Sequence, residues 1–225
     1  LSLRFSSNNQ SKLTARAILA IMLSDRSSKY NTKVLMNEKL DNMFGANLGS
    51  TVSNYGKSHV IELSLSALSS KYVDEDLLEQ QVEMLSELIY KPLLNEALFN
   101  EAKTVLADLI NRESENLNSY VVLDSLRIAG KNYPLENSRF GNLETLNKLT
   151  LEDIKELYED FLANDSLQVI VVGDVEKSRV DILFKKYFKR HKNEIFESSY
   201  LVASNEVKQI VNRRNIPSPY ISVVY

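Results

Sequence analysis

Leu1-Ser2-Leu3-Arg4-Phe5 alternates apolar with polar residues, which predicts a strand with one buried face. Polar residues 8–11 read as a turn. A helix is expected over 12–23, with Leu13, Ala17, Ala20 and Met22 among its apolar positions. That segment is apolar on nearly every side, so it belongs deep in the core. After the polar break at 24–28, Asn31 or Thr32 can cap a second helix, with Val34, Leu35, Leu40 and Phe44 as its stripe and Gly45 as its end. Strands at 48–53 and 59–65 flank a hairpin turn, Asn54-Tyr55-Gly56-Lys57. In the second strand Ile61, Leu63 and Leu65 alternate with Glu62, Ser64 and Ser66.

Beyond the hairpin the period changes to that of helices. An amphipathic helix is expected from Asp74 to about Tyr90, stopped by Pro92, followed by helices over 96–116 and 119–128. Residues 130–140, with Pro134, read as a loop. Thr150 and Asp153 form a capping box that opens a helix reaching about Leu162. The β-branched run 167–172 ends at Gly173-Asp174 and reads as a central strand. A helix over 178–188 and a charged linker over 189–197 come next. Pro217 and Pro219 interrupt the chain before an alternating strand at 220–225. No regular strand–helix–strand repeat is present. The order predicts an α+β fold, a mostly antiparallel sheet with helices packed on one face.

Composition narrows the chemistry. The chain has 225 residues, enough for a sizeable core, and 27 basic residues against 30 acidic ones. That balance speaks against a general nucleic-acid binder, so no nucleic-acid partner is expected. With no cysteine, disulfides, thiolate nucleophiles and Cys-based metal sites are excluded. The two histidines, His59 and His191, are too far apart in sequence for a local metal motif. The longest early apolar run, 17–23, is too short to span a bilayer, and no membrane span is expected.

Individual constellations read plainly. Asp74-Glu75-Asp76 opens a helix, where acids complement the dipole. The basic run 185–192 reads as a helix C-terminus with Tyr187 and Phe188 turned inward. His59 reads as a packing or surface residue, because zinc needs three or four converging ligands. Gly173-Asp174 leaves a strand and caps the next helix.

The order of several short stretches nevertheless resembles the insulinase-type metallopeptidase family, which includes pitrilysin, insulin-degrading enzyme and the mitochondrial processing peptidase subunits. The stretches are Lys91-Pro92-Leu93-Leu94, Phe99-Asn100-Glu101-Ala102-Lys103, Asn132-Tyr133-Pro134-Leu135, the helix at 150–162, Val171-Val172-Gly173-Asp174-Val175, and residues 183–188. The resemblance covers residues 1–190. It implies the αβ module of that family and, for active members, an inverted zinc motif H-x-x-E-H on the first helix with a distal glutamate. Histidines at i and i+4 hold zinc from one helix face, and the glutamate between them takes a proton from zinc-bound water.

Counting back from Ser28-Lys29-Tyr30, the motif falls on Ala17-Ile18-Leu19-Ala20-Ile21. Both histidines and the base are aliphatic here: Ala17, Ala20 and Ile21. Of the two distal acids expected seven apart, Glu101 fits the first and Asp108 takes the ligand position. No histidine precedes His59, so no shift of register restores the motif. The resemblance thus implies a non-catalytic homologue, with no catalytic residues, no metal ligands and no zinc cofactor. As in paired bacterial and mitochondrial homologues, its expected partner is a related active peptidase subunit in a cytoplasmic heterodimer that handles a peptide or protein substrate. Family members repeat the module within one chain, which implies a first module at 1–195 and, at 196–225, a linker and the opening strand of a second. The peptide edge implied by the family falls on Gly49, Ser50, Thr51, Val52 and Ser53. A structural scaffold without peptide binding and a divergent hydrolase using Asp108 with Glu101 are the alternatives.

Overall fold

The computed structural model describes residues 1–56, 58–130, 136–189, 211 and 218–223. Strand β1 (Ser2–Ser7) leads into α1 (Leu13–Asp25) and α2 (Lys33–Asp41). The hairpin is β2 (Asn47–Tyr55) and β3 (Ser58–Ser66). Five helices follow: α3 (Leu77–Tyr90), α4 (Glu96–Glu115), α5 (Leu117–Ala129), α6 (Leu143–Lys148) and α7 (Leu151–Asn164). Strand β4 (Ser166–Ile170) and α8 (Lys177–Tyr187) complete the described strands and α-helices.

The four strands form one antiparallel sheet in the order β2-β3-β1-β4. Register places Leu3, Phe5, Ile61, Leu63, Leu65 and Val52 on one face, all buried. Helices α1, α3 and α7 pack against the sheet, and Phe161 of α7 lies 4.5 Å from Phe5, ring centre to ring centre. The opposite face carries Ser2, Arg4, Ser6, Glu62, Ser64 and Thr51, with Arg4 and Glu62 paired at 2.7 Å. This is the expected α+β architecture, with an apolar face covered by helices and a polar face left open.

Local chemistry sets most boundaries. Thr32 accepts from the Leu35 amide at the start of α2. At α7 the capping box of Thr150 and Asp153 is complete. Helix α3 starts three residues later than the acids at 74–76 suggest, because the Asp76 side chain serves as its cap. The hairpin turn is tighter than expected: Tyr55 pairs with Ser58, and Gly56 lies in the turn at φ 54°.

Five expectations are corrected. The stripe proposed for the second helix faces outward: Val34, Leu35 and Phe44 are exposed, while Met36 and Met43 enter the core. Helix α2 ends at Asp41, before Gly45. The run at 167–172 is an outer strand, paired only with β1 among the described residues, and Val169 and Val172 are exposed. Helix α6 occupies a stretch for which the sequence reading assigned nothing. Residues 220–223 form no strand, since no ladder partner meets them among the described residues. The loop residues 131–135, with Pro134, the linker from 190 to 197, His191, Pro217 and residues 224–225 lie outside the described residues.

Candidate functional site

Helix α1 is the structural centre of the candidate site. It is buried on almost every side, as its sequence demands, and packs on β2, β3, α4 and α7. Ala17 and Ala20 are buried and Ile21 is half-buried, all within the main apolar core. None of the three offers a donor atom to a metal or a base to water. Glu101 lies on α4, whose Ala102 and Leu106 enter the same core. Its carboxylate is held by Arg26 at 2.6 Å and Lys33 at 2.9 Å. Those two cations, Arg26 first, keep the Glu101 carboxyl below its ordinary range. Asp108, two turns along α4, is exposed. Among the described residues no three His, Cys, Asp or Glu side chains converge to hold a metal ion. The residues present do not fit zinc: the motif helix has no ligand, and the retained acid is neutralised by a guanidinium and an ammonium.

Sequence reasoning missed Arg16, one residue before Ala17. It is fully buried, at 1% exposure. Its Nε donates to His59 Nδ1 at 3.0 Å, and an Nη donates to the carbonyls of Phe5 at 3.1 Å and His59 at 3.3 Å. The same terminal nitrogen lies 2.8 Å from Asp165, the residue that ends α7. His59 Nε2 donates to the Arg139 carbonyl at 3.0 Å, since its Nδ1 accepts from Arg16. Burial, then the charge of Arg16, pushes the His59 imidazole down to about 4. Burial pushes the Asp165 carboxyl up to about 6, against the pull of Arg16. The signal was a lone charge inside the apolar stretch of the first helix; such a charge is tolerated only with partners. His59 is thus a buried packing residue with both ring nitrogens satisfied.

Among the described residues β2 is an outer strand, and its backbone orientation follows from its neighbours. Leu65 exchanges backbone hydrogen bonds with Leu1, so the backbone groups of Leu65 point toward β1. Alternation then turns those of Ser64, Glu62 and Val60 toward β2, where they meet Gly49, Thr51 and Ser53. The N–H and C=O groups of Ser50 and Val52 therefore face away from β3. The Val52 side chain is buried, whereas Ser50 is half-buried and its hydroxyl shares a hydrogen bond with Ser24 on α1 at 2.8 Å. Five candidate positions thus divide into three engaged in the ladder and two turned to the outer side.

The loop before α6 closes one end of this arrangement. Asn54 donates to the Asn137 carbonyl at 3.0 Å, and the Asn142 amide donates to Thr14 on α1 at 3.2 Å. Gly141, at φ 74°, lies where any Cβ would overlap Thr14.

No protein-family model matches the chain. It is 23% identical over 223 residues to the probable inactive metalloprotease YmfF of Bacillus subtilis (strain 168), covering 95% of this chain and 52% of that protein. A conserved protein from Enterococcus faecalis V583 superposes with a TM-score of 0.80 at 24% identity, over 88% of this chain and 49% of that one. A peptidase M16 inactive domain from Pseudomonas fluorescens superposes with a TM-score of 0.59 at 16% identity, over 81% of this chain and 43% of that one. The chain carries the M16 peptidase fold. It resembles an inactive homologue of the insulinase-type peptidases, and it spans about half the length of the relatives it matches. None of its described helices is long and apolar enough to cross a membrane.

Proposed function

We propose that this chain is a non-catalytic M16-type module that binds peptide as part of a larger assembly with a related active peptidase. The observation that carries this reading is the state of α1 and β2 together. The helix that would bear H-x-x-E-H carries Ala17, Ala20 and Ile21, whereas the outer strand beside it keeps small and polar residues and two sets of outward backbone groups. Strand addition draws affinity from backbone hydrogen bonds and needs no catalytic side chain, so recognition can outlast catalysis. Residues 1–195 are, on this reading, a first module, followed by a linker and the start of a second. On this reading the chain holds no zinc, and the protein works in the cytoplasm beside its active partner.

Ser50→Pro tests the reading. It removes a backbone donor from the outer side of β2 and leaves the ladder to β3 uncut. Val52→Pro removes a donor on the same side but also excises a buried side chain; Ser50→Pro loses only the hydroxyl bonded to Ser24, a loss that Ser50→Ala reproduces with the backbone donor intact and so controls for. Peptide binding by the assembled protein is expected to fall while far-UV circular dichroism is unchanged. Unaltered binding in a folded variant refutes the edge as the recognition site and favours a structural scaffold.

A further inference from the structure

On the helical side of the molecule, the segment 90–94 and helix α7 enclose a groove of about 670 Å³. Half-buried Tyr90, Pro92, Leu93 and Leu94 and buried Tyr158 form its apolar part. The segment is pre-organised: the Ser28 amide donates to the Lys91 carbonyl at 2.8 Å, and the Leu93 amide to the Arg26 carbonyl at 3.2 Å. Tyr158 is fixed by donating to the Ile89 carbonyl at 2.9 Å. The wall on α7 carries Glu152, Glu156 and Glu159, spaced as one helical stripe.

The charges in this groove do not balance internally. Lys155 pairs with Glu152, and Lys91 pairs with Glu87 outside the groove. Glu156 and Glu159 meet no cation among the described residues. Like charges three and four residues apart on one helix repel, so the stripe costs stability as it stands. The rim also accepts a cation already: the Lys189 ammonium sits 5.4 Å from the centre of the Tyr90 ring.

We infer that this groove docks a basic segment of a partner protein, its aliphatic side chains on Pro92, Leu93 and Leu94 and its cations against Glu156 and Glu159. This site is separate from the β2 edge and does not depend on it.

The probe is a fluorescein-labelled peptide alternating leucine with lysine and arginine, titrated against the full chain by fluorescence anisotropy. A counterpart alternating leucine with glutamate serves for comparison. The cationic peptide is expected to bind, and to bind at least about fivefold more weakly to the Glu156→Gln/Glu159→Gln double variant. Leu94→Ser is expected to weaken it as well, which diffuse attraction to an acidic surface would not do. Glu144→Gln on α6 and Ser50→Pro on β2 are expected to leave it unchanged. No binding, equal binding by the double variant, or equal binding of the acidic peptide overturns the inference.

Discussion

His59→Gln separates the buried charge cluster from every other titrating group in the chain. In the folded protein the imidazole is held down to about 4, against an ordinary value of 6.5. Between those values the unfolded chain binds a proton at this position and the folded chain does not. The contribution is therefore fully present above pH 6.5 and is lost as the pH falls toward 4. The span corresponds to about 3 kcal/mol. Glutamine keeps an amide donor for the Arg139 carbonyl and loses the acceptor for Arg16 Nε, which costs about 1.5–3 kcal/mol at neutral pH. Wild type is therefore the more stable protein at neutral pH. The gap should close as the pH falls, and near the folded value the two curves should meet or cross. Asp165 and the other carboxylates are present in both proteins and drop out of the difference. Urea unfolding followed by circular dichroism, at constant ionic strength and in steps across the acid range, measures that difference. A gap that stays constant or widens on acidification refutes the assignment of a buried, neutral His59.

Two further predictions concern the backbone. Gly141→Ala forces a Cβ into Thr14 at a positive φ and should lower stability by about 2–4 kcal/mol, read as a reduced urea midpoint. Phe44 is exposed and holds φ at 60°, so Phe44→Gly should raise stability or leave it unchanged, by up to about 1 kcal/mol, read as a higher thermal midpoint; a clear loss would mean that the ring carries a contact worth more than the strain.

The legible parts of the fold are those where local pattern and tertiary demand agree. The alternation in β3 marked its buried face, and the Thr150–Asp153 box marked the start of α7. The illegible parts are those where context decides. Val34, Leu35 and Met36 are consecutive apolar residues, and which of them turns inward depends on where α2 meets the core. The β-branched run at 167–170 favours a strand, but propensity does not distinguish an outer strand from an inner one. At the site, the aliphatic replacements in α1 were visible because the motif has fixed spacing. Arg16 was not, because its partners His59 and Asp165 come from distant parts of the chain.

The candidate site differs from a zinc site in two independent respects, and the second is visible only in three dimensions. Loss of the histidines removes the ligands. The retained acid, Glu101, is occupied by Arg26 and Lys33, so its charge is already compensated without a metal. Buried Arg16, beside the former motif, is neutralised by Asp165 rather than by Glu101. Restoring histidines at 17 and 21 would therefore supply two ligands but no third, because Asp108 at the ligand position is exposed, and at 17 it would put a larger side chain into the buried core. The helix acts as a core element that supports the outer strand, and Ser24 on its last turn is hydrogen-bonded to Ser50 of that strand. That hydrogen bond ties α1 to β2, the strand proposed above as the peptide edge.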